Sequence, residues 1–359
     1  MRIRALLLSA AFALAVPSIV GAVAPSDISI ETYDGVELRG KFYQANTAKN
    51  KNNGCVILMH GYQKDPTKGD WKGLADLLTA NGFNVVQFDF RFHGQRTDVQ
   101  PSIFWNDPFN KTHITGATRK PPRSELTFKD IKNPKDYYPM LVNDVMAVRT
   151  YLDTQNDSGK VNTSSVYLIG TGDAVSVGFL YMTAEWFRER EVPNVGLPPM
   201  VVSSNRRIFL GAQPCGRDLA GAVWISPLRH PSMSQTTIEN FTTKYPSATP
   251  MREETPMLFI HGEKDTKSKD GSKFFFEKVL VAQPKPNSRL AKLPQTFQRE
   301  IKGTQLAEAE LLGKNLGTEE MIIKYLEEVD KERKGKVQIP KRGYTKPLAV
   351  QLASFGVAP

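Results

Sequence analysis

The chain has 359 residues but only two cysteines, so no disulfide framework holds its fold together. Neither Cys55 nor Cys215 lies at a spacing typical of a metal site, and the sequence indicates no other cofactor. We place the two cysteines at strands that are not adjacent, about 10 Å apart at two strand spacings, which is too far for a disulfide bond. The sequence therefore predicts two free, buried thiols.

The sequence also lacks a hydrophobic run long enough to cross a membrane. The apolar run near the N-terminus covers 12 residues, 5–16, whereas a spanning helix needs about 20. Basic residues precede this run and small residues follow it at 20–22, the pattern of a secretory signal peptide. We therefore predict a signal peptide over 1–22 and export to the periplasm, the envelope or the medium. An uncleaved anchor is the alternative, because residues 17–23 lengthen the apolar stretch.

Acidic residues are in the minority, with 37 Asp and Glu against 47 Lys and Arg and a formal net charge of +10. Removal of Arg2 and Arg4 with the signal peptide still leaves +8. The basic residues are spread through loops and the C-terminal tail, without the basic helix or aromatic-interleaved patch of nucleic-acid-binding modules. The sequence thus excludes nucleic acid as a partner and leaves an unidentified small molecule or envelope component.

Apolar runs without polar alternation predict buried strands, and helical patterns lie between them. Such strands require a mostly parallel sheet with helices on both faces, which is an α/β fold. An antiparallel hairpin around Asp34 and Gly35 opens the sheet. We predict one domain over 23–359, with lid-like excursions near 91–136 and 190–220 because these segments are too long for ordinary connections. The predicted strands lie at 55–59, 83–90, 166–169, 222–225 and 257–260.

Four short motifs follow the predicted strands in a characteristic order. They are a His-Gly pair at 60–61, Asp-Phe-Arg-Phe-His-Gly at 89–94, Gly-Thr-Gly-Asp-Ala at 170–174 and His-Gly-Glu-Lys-Asp at 261–265. Together they resemble the α/β-hydrolase fold, in its esterase, lysophospholipase and dienelactone-hydrolase-like branch. The resemblance covers about residues 28–328 and implies a nucleophile, an acid and a histidine in that chain order.

The resemblance places the nucleophile on a tight elbow with small residues two positions before and after it. The frame that satisfies this spacing puts Gly172 at the nucleophile position, and a glycine has no side chain to attack a substrate. A second frame makes Asp173 the nucleophile but places the β-branched Val175 where a small residue is needed. Ser176 lies one helical turn beyond the elbow and points away from its tip.

The other two members of the implied triad are also altered. Asp265 occupies the acid position. An aspartate at this position is also typical of an N-cap residue of the following helix. The base position falls on Leu306, or less well on Gln305, and neither side chain exchanges protons near neutral pH. The five histidines, His60, His93, His113, His230 and His261, all precede Asp265 in the chain.

The oxyanion hole that the resemblance implies uses backbone N–H groups of Tyr62 and Asp173. The carboxylate of Asp173 opposes the negative charge that such a hole stabilises, unless it turns outward. His60 and His93 have counterparts in the implied loops, where they either hydrogen-bond the loops or replace the lost base.

Three hypotheses follow from these residues. The leading one is an exported protein that has lost serine-hydrolase chemistry and acts by binding. The rival is an active esterase-like hydrolase that uses an unrecognised nucleophile or base, such as Asp173 with His60 or His93. The third is an architectural or envelope-interaction protein whose cleft is closed. The contents of the cleft distinguish them.

Overall fold

The structure is a computed structural model, and it describes residues 24–46, 54–61, 67–94, 97–193, 207–231, 233–244, 248–280, 296–333, 341–344 and 346–350. The predicted signal peptide and Tyr62 lie outside these residues. Within the described residues, no helix has both the length and the apolar character that a membrane span needs.

The strands alternate with helices along most of the chain. The strands are β1 Ser26–Glu31, β2 Val36–Tyr43, β3 Gly54–Met59, β4 Asn84–Phe88, β5 Thr97–Val99, β6 Glu125–Leu126, β7 Asn162–Thr171, β8 Glu189–Pro193, β9 Arg207–Pro214, β10 Leu219–Ile225, β11 Met257–Gly262 and β12 Phe297–Ile301. The helices are α1 Trp71–Ala80, α2 Pro101–Phe104, α3 Pro108–His113, α4 Pro134–Tyr137, α5 Leu141–Asp157, α6 Ala174–Phe187, α7 Gln235–Glu239, α8 Ala248–Glu254, α9 Thr266–Phe274 and α10 Thr318–Arg333.

One large sheet organises the fold, as the sequence predicts. Its order is β12-β11-β10-β7-β3-β4-β2-β5-β6, with β1 paired to β2. The six strands from β12 to β4 in this order are parallel, whereas β2 pairs antiparallel with β4 and with β1. The β1–β2 hairpin turns at Gly35, whose φ of +77° suits a residue without a side chain. The predicted mixed sheet with an antiparallel opening is therefore confirmed.

Helices cover both faces of the sheet because its central strands are apolar on both sides. In β3, Val56 and Leu58 pack into one cluster with residues of α1 and α10. Ile57 and Met59 of the same strand pack into a second cluster with residues of α5 and α6. All six residues of β3 are buried, so the absence of polar alternation in this strand follows from its place between two helical layers.

The predicted excursion over 91–136 contains two short strands and several short helices. Its strands β5 and β6 extend the sheet beyond β2. They contain only three and two residues, which is too short for a period of two to be visible in the sequence. Phe104 and Phe109, in the helices between them, are buried in the main core. The second excursion contains the β8–β9 hairpin, a separate sheet of two strands that is described only in part.

A buried ion network joins this excursion to the rest of the fold. Arg91, after β4, donates to Asp34 from Nη1 and to Asp144 from Nε, at 2.7 Å in both cases. All three side chains are fully buried. Asn110 of α3 and Tyr137 of α4 hydrogen-bond to Asp34 and Arg91, respectively. Burial alone would raise the pKa of Asp34, but Arg91 holds that pKa below its ordinary value.

An extended segment near the C-terminus, residues 341–344 and 346–350, lies along α5, and we call it the C-terminal strap. Asn143 of α5 binds both backbone groups of Val350: its Oδ1 accepts from Val350 N at 2.7 Å, and its Nδ2 donates to Val350 O at 3.3 Å. Thr150 Oγ1 accepts from Leu348 N at 2.9 Å. The strap thus replaces water as the partner of polar groups on one face of α5.

Both cysteines are free and buried, as the sequence predicts. Cys55 lies in β3, and Cys215 begins the short 3₁₀ turn that precedes β10. The strand β7 separates β3 from β10 in the sheet. Burial raises the pKa of each thiol to about 12, so neither is a nucleophile near neutral pH.

Candidate functional site

The elbow predicted at 170–174 connects the end of β7 to the start of α6. Gly172 has a φ of +57°, a backbone conformation that strains residues with side chains. Its N–H donates to Ile225 O at 3.0 Å, and its carbonyl accepts from Leu228 N at 2.9 Å. The turn is thus fixed by the last residue of β10 and the backbone just after it, at the edge of the sheet where the parallel strands end.

A carboxylate lies directly over this turn. A Cβ placed on Gly172 would lie 2.9 Å from Cδ of Glu308 and 3.1 Å from its Oε2. Glu308 follows β12 and has a φ of +53°, which is uncommon for a residue with a side chain. The Glu308 carboxyl group therefore fills the space that a side chain at position 172 would need.

Sequence reasoning did not find Glu308. It lies two residues beyond Leu306, where the resemblance places the base, so a carboxyl group was visible near the expected position. No local pattern indicated that the backbone at 308 turns this side chain toward the elbow.

The predicted acid and base positions lie in neighbouring loops. Asp265 caps α9, accepting from Ser268 N at 3.2 Å and from the Ser268 hydroxyl. The loop after β12 is tied to the same region, because Lys264 N donates to Thr304 O at 2.9 Å. Leu306 is partly buried and packs against the cluster that contains α1 and α10. The structure thus brings these loops together and places Glu308, rather than Leu306, against Gly172.

The sequence also indicates Asp173 of the elbow and Ser176, which lies just beyond it in α6. Ser176 is fully buried, and its Oγ accepts from His230 N at 3.0 Å. This bond holds the segment after β10 against the first turn of α6. Asp173 precedes α6 and is only 7% exposed, yet it lines a cleft beside the elbow.

Two spaces meet at Glu308. The outer cleft has a volume of about 790 Å³, and Asp173 and Glu308 lie on its wall next to the elbow. A second space, which we call the inner pocket, has a volume of about 140 Å³ and is lined in part by His60, Trp71 and Thr171. Glu308 lines both spaces. The other charged side chains that line the outer cleft are Arg229, Lys267, Asp270, Lys273, Glu277 and Lys278.

No protein-family model and no curated protein matches this sequence. Among solved structures, an esterase of Pyrococcus furiosus, Pf2001, is 15% identical with a TM-score of 0.46, over 87% of this chain and 95% of that one. A dienelactone hydrolase of Anabaena variabilis is 10% identical with a TM-score of 0.45, over 84% and 97%. A proline iminopeptidase of Mycobacterium smegmatis is 12% identical with a TM-score of 0.46, over 85% and 99%.

The fold is identified by the mostly parallel sheet and by the order of the loops at one of its edges. The elbow after β7, the loop after β11 and the loop after β12 lie at one edge of a mostly parallel sheet, in the chain order that the resemblance implies. The chain has the α/β-hydrolase fold. Its helices on both faces and its antiparallel opening agree with the architecture expected from the sequence.

Within this α/β-hydrolase fold, both ring nitrogens of His60 contact backbone groups of neighbouring loops. Its Nε2 accepts from Phe90 N at 3.1 Å, and its Nδ1 lies 2.8 Å from Gly61 O. These partners assign the proton to Nδ1 and occupy both ring nitrogens. His60 therefore fits the role of a loop hydrogen-bonding residue better than that of a general base.

His93 and His230 are buried near the same edge of the sheet. Burial lowers the pKa of His93 to about 4 and that of His230 to about 3. The Nδ1 of His93 lies 2.8 Å from Arg91 O, and the ring of His230 packs on Tyr138 at 3.7 Å between centroids. A base with so low a pKa removes protons poorly, so both imidazoles are neutral packing groups near neutral pH.

Charged and polar side chains line the spaces beside the elbow, and position 172 offers no side chain that could act as a nucleophile. The part of the chain that the structure describes holds no cluster of His, Cys, Asp and Glu able to bind a metal ion. Of the two oxyanion positions, Asp173 lies beside the outer cleft, and Tyr62 falls outside the described residues.

Proposed function

We propose that this α/β-hydrolase-fold protein is exported and acts by binding rather than by catalysis. The observation that carries the proposal is the Glu308 carboxyl group packed against Gly172. An acyl-transferring serine needs an open position at the elbow and a base beside it. Here the elbow offers no hydroxyl, and a carboxylate fills the space above it.

In this proposal, each site residue occupies a position of the implied triad or oxyanion hole without taking part in catalysis. Gly172 is the degenerate nucleophile position and Leu306 the degenerate base position. Asp265 retains the acid position but serves as the cap of α9. The backbone N–H groups of Asp173 and Tyr62 remain the oxyanion positions. No step of hydrolysis is assigned to any of them.

The outer cleft is the proposed binding site. Its volume of about 790 Å³ lies in the range of small-molecule sites. Charged side chains of both signs and the apolar Leu228, Pro231 and Phe274 line it. These features favour a small molecule that carries polar groups on an apolar frame, or an envelope component with such a group.

The first prediction concerns covalent labelling. A fluorophosphonate probe reacts with serines that a neighbouring base activates, and we expect no adduct on the purified mature protein. Intact-mass measurement after treatment is the test. A stoichiometric adduct on Ser176 or on any other serine would show that the chain is an active hydrolase and would favour the rival hypothesis.

A matched variant sharpens this test. Gly172→Ser restores a hydroxyl at the elbow, but its Cβ would lie 2.9 Å from Cδ of Glu308. Because triad residues act as a unit, a serine without a base should gain almost no reactivity. We therefore expect no adduct on this variant either. Rapid labelling of Gly172→Ser alone would reveal an intact base and contradict the proposed loss of catalysis.

A second prediction tests export. We expect mass spectrometry of the protein from its native host to find an N-terminus near Val23, because residues 1–22 have the pattern of a cleaved signal peptide. An intact Met1 in the membrane fraction would instead support the uncleaved anchor and would refute export by cleavage.

A further inference from the structure

The C-terminal strap is held by side chains of α5 that bind its backbone. Asn143 bonds to both N and O of Val350, and Thr150 Oγ1 accepts from Leu348 N. Leu348 and Val350 are half-buried against the main core, whereas Ala349 between them is exposed. The strap thus lies on α5 as an extended segment with alternate side chains buried, which is how many proteins bind extended peptides.

The start of the strap is bound in the same way, at the other end of α5. The Asp157 carboxylate accepts from Arg342 N at 2.6 Å and from Gly343 N at 2.5 Å. Both donors are backbone groups, which every residue except proline supplies. These contacts therefore fix the path of an extended segment without selecting its side chains.

The side chain of Arg342 supplies a contact that does depend on residue type. Arg342 is only 3% exposed, and it donates from Nη2 to Ser164 Oγ at 2.9 Å and from Nε to Thr163 Oγ1 at 3.3 Å. Its Nη2 also lies 3.2 Å from Asp218 Oδ2, and its Nε lies 3.7 Å from Asp153 Oδ1. A planar guanidinium with several fixed donors matches such a set of acceptors, whereas a lysine ammonium does not.

Two arginines of the folded body share these carboxylates. Arg149 pairs with Asp153 at 3.1 Å and with Asp218 at 2.8 Å, and Arg190 of β8 also donates to Asp218. Both carboxylates therefore keep a cation when Arg342 is absent, and the costly outcome of an unpaired buried charge is avoided. The strap also follows α10, the last helix of the described residues, so its release leaves the sheet and the helices complete.

We propose that the surface under the strap is a binding site for an extended peptide that carries one arginine, and that the C-terminal strap is its detachable ligand. The groups that hold the strap form this strap-binding site: Asn143, Thr150, Asp153 and Asp157 of α5, with Thr163, Ser164 and Asp218. In the intact chain the strap occupies the site in cis, at a high effective concentration that excludes free peptides. Cutting the chain before Lys341 makes the strap exchangeable.

The strap-binding site is separate from the elbow. Thr163 and Ser164 lie at the start of β7, whereas Gly172 follows the other end of this strand. The site makes and breaks no covalent bond, and it does not depend on the proposed loss of catalysis.

The test uses the full mature chain with a flexible protease site inserted between Arg333 and Lys341. The protein is folded intact, cut at this site and diluted, so that the released fragment is removed by size-exclusion chromatography. A fluorescein-labelled peptide of residues 341–350 should then bind the cut protein saturably, with a dissociation constant in the micromolar range, measured by fluorescence anisotropy. The uncut protein with the same insert should not bind the peptide, because its own strap occupies the site.

Peptide variants separate the arginine contact from general charge. Arg342→Gln in the peptide should weaken binding about tenfold or more, because it removes charge-assisted hydrogen bonds to buried acceptors. Arg342→Lys keeps the charge but not the planar donors, and it should not restore the affinity. Lys341→Gln is the matched control: it removes the neighbouring positive charge from an exposed side chain, and the affinity should stay within about twofold of the parent peptide.

The proposal is overturned if an excess of labelled peptide does not bind the cut protein, or if Arg342→Gln and Lys341→Gln weaken binding equally. Equal binding to the cut and uncut proteins would place the peptide outside the strap-binding site and would also overturn it. Unfolding of the protein after cutting and dilution, followed by circular dichroism, would show that the strap is an integral part of the fold rather than a detachable ligand. None of these results bears on fluorophosphonate labelling, which tests the proposed function separately.

Discussion

Replacing Arg91 with methionine is expected to lower the free energy of unfolding by about 3–5 kcal/mol, because it leaves two buried carboxylates without their cation. Arg91 bonds to Asp34 and Asp144, and none of the three side chains is exposed. These residues join the opening hairpin, the loop after β4 and α5, so the loss affects three parts of the fold. Urea unfolding followed by tryptophan fluorescence measures the change.

The matched control is Arg39→Met. Arg39 pairs with Asp98 at 2.6 Å, but their side chains are 56% and 39% exposed. An exposed pair contributes about 0–1 kcal/mol, so this variant should remain close to the parent in stability. Equal losses for the two variants would show that the buried network does not stabilise the fold as we describe.

Acidification from pH 7 toward pH 4.5 is expected to destabilise the protein through two buried histidines. The unfolded chain binds protons at His93 and His230 near pH 6.5, whereas burial lowers their folded pKa values to about 4 and 3. The unfolded state therefore takes up protons first, and stability falls as the pH decreases from about 6.5 toward 4. At pH 4.5 each histidine should reduce the free energy of unfolding by about 2–3 kcal/mol.

The histidine contribution is isolated by comparing the parent with His93→Asn at several pH values. An asparagine side chain can still donate to Arg91 O, as Nδ1 of His93 does, but it does not titrate. Asp144, whose pKa burial raises to about 6, acts in the opposite direction in both proteins. We expect the parent to lose stability relative to His93→Asn between pH 7 and pH 4.5. Parallel stability curves would rule out His93 as the cause.

Most of the sheet was predictable because each central strand is recognisable from its own run of apolar residues. The runs in β3, β7 and β10 are apolar on both faces, which only a doubly covered sheet explains. The short strands β5 and β6 were not predicted, because two or three residues show no periodicity. β5 pairs with β2 and β6 pairs with β5, which are contacts that the local sequence does not indicate.

The candidate site was predictable where it depends on residue type at a fixed spacing. The small residues around Gly172 indicated a tight turn, and the structure places a positive φ there. Asp265 could be assigned as a helix cap because the cap contact is local, three residues along the chain. Glu308 was not found, because its importance comes from a contact across the fold: it lies 136 positions after Gly172 and packs against it.

The C-terminal strap has a consequence for the order in which the native structure forms. The Asn143 side chain and the Val350 backbone are 207 positions apart, so their two hydrogen bonds close a loop that contains most of the parallel sheet. Closing so long a loop costs chain entropy before the bonds compensate for it, and contacts of this separation slow folding. The strap is therefore expected to dock after the sheet, and the face of α5 that it covers should acquire hydrogen-exchange protection last.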